Sequence, residues 1–188
     1  MTPRQAEIAA EAHVASQLAR CGYDVLVQYG ANQPDYDLVA IKDSKTMLVS
    51  VKGSQSGGWP LAVSKIKETK GCEGNRYHRA IDLWFEKQRK DVVFFFAQFL
   101  KAKISEPPRL YIARPAEIAK HLKMQWSGKG YAALHEDYGR DHPGSSHNHR
   151  IPDTWIFSAE RLDEIAKGKK GGKARKKISK STKSSVNQ

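Results

Sequence analysis

Two short apolar segments constrain this chain more than anything else in it. Asp37-Leu38-Val39-Ala40-Ile41 follows Pro34-Asp35-Tyr36 and opens on an acid, while Met47-Leu48-Val49-Ser50-Val51-Lys52-Gly53 closes on a lysine and a glycine. Between them stands a polar turn, Lys42-Asp43-Ser44-Lys45, so the two segments read as a β-hairpin. Strands over 37–42 and 46–51 that pair in this way carry Asp37 and Lys52 to the same end of a small sheet. Side chains alternate along a strand, so positions 50 and 52 share a face.

The flanking pattern supplies what covers that sheet. Thr2-Pro3-Arg4-Gln5 is a helix start, with Thr2 as N-cap, proline at the first helical position and Gln5 three residues after the cap. This helix is expected to run to about Cys21 and stop at Gly22. Ile8, Ala12, Ala15, Leu18 and Ala19 form its apolar stripe. Glu11 falls inside the stripe, where an unpaired carboxylate is costly to bury and calls for a lysine or a metal as partner. Further strands are expected over 23–29, 61–63, 91–100, 109–114 and 154–157, the 91–100 strand being central and Phe94-Phe95-Phe96 belonging to the core. Tyr77, Ala80, Ile81, Trp84 and Phe85 fit an amphipathic helix over 76–89, Pro115 opens another over 115–124, and Ser158 caps a last one to about Lys167. The order indicates an α/β fold, a central mixed sheet flanked by helices.

Charge is distributed unevenly. Of the formal net charge of +12, the segment from Lys167 onward holds nine Lys or Arg and no acid, which leaves +3 for residues 1–166. Residues 1–166 therefore read as one mildly basic domain and residues 167–188 as a disordered Lys-rich tail, a polyanion-binding arm that works by counterion release. No apolar run approaches the roughly 20 residues needed to span a bilayer, so no membrane partner is expected. The N-terminus lacks the features of a signal peptide, and Cys21 and Cys72 stand in no disulfide or metal spacing. A reducing, cytoplasmic setting is the expectation.

A carboxylate, a lysine and strand-end backbone oxygens suit phosphodiester hydrolysis with a divalent ion, which needs hard oxygen ligands and a positioned water. Asp37 would supply one carboxylate and the Val51 carbonyl another oxygen. Lys52 would orient the water or stabilise developing negative charge, and Glu11 is expected to reach the same site from the first helix. Position 50, where a second carboxylate belongs, is Ser50, a far weaker ligand for Mg²⁺.

Glu11, Gly22-Tyr23-Asp24-Val25, Asp37-Leu38-Val39-Ala40 and Val49-Ser50-Val51-Lys52-Gly53 together resemble the PD-(D/E)XK nuclease superfamily over residues 4–100. The branch is the one with archaeal Holliday junction resolvases and bacterial endonuclease-like proteins. The resemblance implies a restriction-endonuclease-like sheet, with Asp37 (rather than Asp35) as metal-binding aspartate, Lys52 as catalytic lysine and Glu11 as helix-borne acid. It further implies Mg²⁺ or Mn²⁺ as cofactor and nucleic acid as substrate, DNA ahead of RNA. Ser50 departs from the Asp/Glu pattern, so a nuclease-fold DNA-binding module without chemistry is the alternative expectation. Resolvases and many restriction enzymes act as dimers, which makes a homodimer one expectation, although no dimer-specific pattern stands in the chain.

Other residues are weighed against plainer roles. Ser54 and Gln55 read first as loop polarity, Trp59 equally as a base-stacking ring or a loop anchor, and Arg76, His78 and Arg79 first as a solvated helix face. His142, His147 and His149 sit in a Gly/Ser-rich loop without zinc-site spacing.

Overall fold

The computed structural model describes residues 1–28, 36–71, 73–137 and 150–167. Cys72, the histidines at 142, 147 and 149, Asp35 and the tail beyond Lys167 lie outside these described residues.

Helix α1 spans Pro3–Arg20 and begins as its sequence dictates, with a reciprocal capping box: Gln5 N donates to Thr2 Oγ1 at 3.2 Å and Thr2 N donates to Gln5 Oε1 at 2.7 Å. Gly22, at φ +82°, turns the chain into β1 (Asp24–Val27). Strands β2 (Leu38–Lys42) and β3 (Lys45–Ser54) form the expected hairpin around Asp43 and Ser44, whose φ values of 50° and 59° are those of a tight two-residue turn. Short β4 (Gly58–Trp59), helix α2 (Arg76–Glu86), β5 (Val92–Gln98), β6 (Arg109–Ala113), helix α3 (Pro115–Met124), β7 (Leu134–His135) and helix α4 (Ala159–Lys167) follow.

The main sheet has the order β1-β2-β3-β5-β6. All its pairs are antiparallel except β3 with β5, which run parallel. β4 and β7 make a separate two-stranded pair. Every residue of β5 is buried, as a strand covered on both faces should be. On one face α1 and α4 pack through Ala10, Val14, Leu18, Leu162 and Ile165 against Val49, Val51 and Phe95. On the other, α2 and α3 bring Ile81, Trp84, Ile118 and Leu122 against Phe94 and Phe96. The expectation of an α/β fold with helices on a central mixed sheet is met at this level.

Three local expectations are corrected. The buried ridge of α1 is Ala6-Ala10-Val14-Leu18, while Ile8 is 52% exposed and Ala12 and Ala19 face solvent. Close approach decides this: a Cβ on Gly53 would lie 2.4 Å from the Ala6 carbonyl oxygen and 3.1 Å from the Ala10 Cβ, so only small side chains fit where α1 crosses β3. Glu11 therefore flanks the buried ridge instead of lying within it. Residues 61–63 do not extend as a strand, because after Pro60 the Leu61 N–H turns back to the Trp59 carbonyl (2.9 Å) and a 3₁₀ helix, Val63–Thr69, follows. The expected late strand over 154–157 is mostly a 3₁₀ turn, Asp153–Trp155, which drops Trp155 into the core and leaves a single bridge between Ile156 and Tyr111. Helix α4 ends at Lys167, where the sequence placed its end, with the Lys167 ammonium 3.8 Å from Asp163.

A polar clasp fixes the far edge of the sheet. Arg109 donates to both carboxylate oxygens of Glu136 (2.6 and 2.8 Å), and the Tyr111 hydroxyl donates to Glu136 Oε1 at 2.6 Å. Burial opposes the charge on Glu136, but these hydrogen bonds outweigh it and hold the carboxyl below its ordinary value of 4.5. A depressed carboxyl contributes stability that is complete above its unfolded-state pKa and is lost as pH falls through the folded one. Acid melts should therefore show stability lost below about pH 4.5, and Glu136→Gln should flatten that loss while costing about 1–2 kcal/mol at neutral pH. Gly53→Ala is expected to cost about 1–3 kcal/mol in urea or thermal melts, since the clash is with backbone that cannot rotate away.

Candidate active site

The site begins where the β2–β3 ladder ends. Leu38 is the register partner of Val49, and the Asp37 N–H also donates to the Val49 carbonyl at 2.8 Å, so two residues of one strand oppose one of the other. This is the two-against-one geometry of a β-bulge, which re-aims the side chain at the extra position. The Asp37 carboxylate is turned onto the next step of β3: Oδ2 accepts the Val51 N–H at 2.6 Å and the Ser50 hydroxyl at 3.3 Å. A side-chain oxygen thus completes a ladder that β2 has left, and the ionised acceptor makes the bond strong. Backbone alternation along β3 directs the Val51 carbonyl to this same edge.

Asp37, Ser50 and Lys52 line one pocket of about 430 Å³ together with Glu7, Gly53, Trp59, Pro60, Leu61, Trp84, Gln88 and Phe94. The two residues the sequence placed at one end of the sheet are therefore in one cavity. Ser50 and Lys52 alternate onto the α2 face of β3, whereas α1 packs on the opposite face through Val49, Val51 and Gly53. Glu11 is absent from the lining. It remains an electrostatic neighbour: burial first, then the negative charge of Asp37, raises its carboxyl above the ordinary 4.5, with Lys52 and Arg4 pulling the other way.

Glu7 was not anticipated. It lies one helical turn before Glu11, and it reaches the pocket because the α1 N-terminus lies against Gly53. Its carboxylate also pairs with Arg4 at 3.2 Å, so the like-charge i,i+4 pair it makes with Glu11 is answered within the helix and gave no pointer to the pocket. Trp84 and Gln88 form the opposite wall, also one turn apart, with Gln88 Nε2 donating to the Trp84 carbonyl at 2.9 Å.

Trp59 is a loop anchor. It is 3% exposed, its Nε1 donates to the Lys52 carbonyl at 2.8 Å, and its ring meets Phe96 edge-on at 5.2 Å. It holds the backbone of the lysine in place. Ser54 is buried and donates to the Gly58 carbonyl at 2.8 Å, closing the loop after β3, and Gln55 donates to the Met1 carbonyl. His78 is hydrogen-bonded through Nε2 to the Gly128 carbonyl oxygen (2.8 Å), tying α2 to the turn that follows α3.

Compared with models of protein families, with curated proteins and with solved structures, the chain matches none. Asp37, Glu7, Glu11, Ser50 and the Val51 carbonyl are all hard oxygen donors, the type Mg²⁺ prefers. Among the described residues no three acidic, His or Cys side chains are grouped tightly enough to cage an ion. Mg²⁺ is usually held by one or two carboxylates together with water and substrate phosphate, so this donor set fits a site that substrate completes.

Asp37→Asn separates charge from hydrogen bonding, because its amide oxygen still accepts the Val51 N–H. The variant is expected to stay folded while the Glu11 carboxyl drops part of the way toward its ordinary value. Carboxyl-resolved NMR titration of both proteins measures this, and an unmoved Glu11 would show that the two acids are not coupled.

Proposed function

We propose that the protein is a metal-dependent endonuclease of the PD-(D/E)XK type, with a restriction-endonuclease-like arrangement of its sheet, that hydrolyses phosphodiester bonds in DNA. The observation that carries this reading is the convergence of Asp37 and Lys52 in one pocket at the end of β3. Asp37 and Glu11, with the Val51 carbonyl, are the groups that would hold Mg²⁺ or Mn²⁺. When bound, such an ion polarises the phosphoryl oxygens and lowers the pKa of its water.

The remaining work falls to the chain. Lys52 has its backbone pinned by the Trp59 indole, so its ammonium is presented from a rigid strand toward the pocket. There it orients the attacking water and offsets negative charge that develops on the phosphate. Ser50 adds a hydroxyl at the place of a carboxylate and spends it on Asp37 Oδ2. Glu7 supplies a second acid at the mouth of the site.

Ser50 also motivates a second reading, a DNA-binding module that keeps the fold without the chemistry. The Lys-rich tail suits both. It departs from Lys167, which lies with Asp43 and Lys45 beside the hairpin turn. Seven residues of β3 separate that end from Lys52, about 23 Å of strand. Contacts made by the tail would add affinity under either reading.

The discriminating experiment incubates the purified full chain with linear duplex, branched and single-stranded DNA and with RNA, with Mg²⁺, Mn²⁺ or EDTA. Cleavage is expected on DNA and only with the ion. Lys52→Ala and Asp37→Ala should each lower it about 10²-fold or more. Cleavage that survives both substitutions would remove this pocket from consideration. Ser50→Glu is expected to tighten metal binding and raise the rate; salt-dependent binding with no cleavage in either protein would favour the binding module.

A further inference from the structure

We propose that the cavity beside the β2–β3 turn is a second ligand site, for a nucleoside monophosphate, at the end of β3 opposite the Asp37–Lys52 pocket. The cavity measures about 400 Å³ and lies between the hairpin turn, the α1–β1 junction, the start of α3 and the end of α4. That is the size of an ordinary small-molecule site. Lys45 begins β3 and Lys52 stands seven residues along it, which separates the two sites by about 23 Å of strand. The second site stands on its own residues and does not depend on cleavage at Lys52.

Its floor is apolar and belongs to the core: Met47, Val93 and Ile165 line it, and all are buried. Above the floor stand cations held by neutral partners. Lys42 Nζ donates to the Cys21 carbonyl at 2.8 Å and lies 5.1 Å from the centre of the Tyr23 ring. Arg114 Nη2 donates to the Ile165 carbonyl. A carbonyl fixes a cation in place without cancelling its charge. Lys45 is the register partner of Lys42 across the turn, and it has no hydrogen bond or ion pair among the described residues. Like charges directly opposite each other on a hairpin repel.

The acids of the cavity leave this charge in surplus. Asp91 is taken by Arg89, which donates to its carboxylate at 3.1 and 2.9 Å, and Asp163 lies 3.8 Å from the Lys167 ammonium. Only Asp43 is left to face Lys42, Lys45 and Arg114.

Tyr23 is the observation that points to a ligand. It lines the cavity and is 8% exposed, yet its hydroxyl has no hydrogen-bond partner among the described residues. A buried tyrosine ordinarily finds one. Burial first, then Asp163, Cys21 and Asp43, raises the phenol above its ordinary value of 10.0. The hydroxyl is therefore protonated at neutral pH and has a proton to donate.

These groups ask three things of a ligand. It needs an anionic group for the N–H donors of Lys42, Lys45 and Arg114, and an apolar or planar body for the floor. It also needs hydroxyl or amino donors for Asp43 and Asp163. A nucleoside monophosphate carries all of them in its phosphate, base and sugar. An inorganic anion would leave the floor uncovered, and a fatty acid would leave the acids without donors. Capping of the α1 and α4 C-termini accounts for Lys42 and Arg114. It does not account for Lys45 facing Lys42, nor for the unpartnered phenol.

Calorimetric titration of the full chain with AMP, GMP, CMP and UMP, without divalent ion, is the test. At least one is expected to bind with a Kd of about 1 mM or tighter, and its nucleoside or inorganic phosphate alone about 10-fold more weakly or worse. Lys45→Gln should weaken binding about 10-fold, and Lys45→Arg should retain it. Tyr23→Phe should weaken binding about 3- to 10-fold with an unchanged thermal midpoint, because the hydroxyl it removes has no partner in the free protein. Lys45→Gln, at an exposed turn, covers the case in which Tyr23→Phe disturbs the fold. Lys52→Ala should bind the nucleotide as the wild type does. A wild-type chain that binds none of the nucleotides would overturn the proposal. So would binding that survives both Lys45→Gln and Tyr23→Phe, which would put the nucleotide elsewhere, on the Lys-rich tail for example. Loss of binding in Lys52→Ala alone would move the nucleotide to the Asp37–Lys52 pocket, and inorganic phosphate binding as tightly as the nucleotide would refute the ligand class. Each of these results is independent of DNA cleavage, so the endonuclease reading is tested separately.

Discussion

The hydrogen bond from Val51 N–H to the Asp37 carboxylate is the interaction on which the rest of the site depends. At 2.6 Å it lets a side chain act as the next rung of a ladder after the strand carrying it has bulged away. Without an acceptor there, a backbone donor in the middle of a central strand would be left unpaired, at a cost of about 1–3 kcal/mol. The arrangement frees the edge of β3 beyond Val49 from its neighbouring strand. That opening is where the Val51 carbonyl, Glu7 of α1 and the pocket meet.

A second constraint is steric. α1 crosses β3 so closely that Gly53 has no room for a Cβ, and the ridge it presents there is made of alanines. Close crossing brings Glu7 to the pocket, while Glu11, partly buried, stays outside the lining, where burial and Asp37 together raise its carboxyl. The opposite wall is held as firmly, by Trp59 bonded to the Lys52 carbonyl and stacked edge-on against Phe96. Acids, lysine and aromatic wall are therefore set on rigid elements, which is what positioning a reacting phosphate requires.

Much of the fold was legible because its signals are local. The capping box at Thr2 and Gln5, the Asp43-Ser44 turn, Pro115 at a helix start and the 3.6-residue period of α2 each act over a few residues, and each element formed where those signals lay. The errors share one cause. Helical spacing from Ile8 predicts one stripe on α1, whereas contact with β3 selects the ridge of Ala6 and Ala10 for its smallness. Likewise Ile156 and Phe157 have strand propensity, but the 3₁₀ turn that buries Trp155 leaves them only the Ile156–Tyr111 bridge and the Phe157 N–H to Leu110 carbonyl bond at the edge of β6. Glu7 escaped notice for the same reason, since its role comes from where the helix end is laid down.

By itself the sequence determined an α/β chain in which a hairpin carries Asp37 and Lys52 to one end of a mixed sheet. Alternation along β3 put positions 50 and 52 on one face, and the lysines were concentrated past residue 166. Those properties follow from period, turn chemistry and charge, which every residue carries with it. Only the tertiary structure decided which acid of α1 meets the pocket and that Trp59 anchors Lys52. These depend on how closely two elements pack and at what crossing. That distance is set by the absence of a Cβ at Gly53 and the smallness of Ala6, residues whose importance lies in the space they leave.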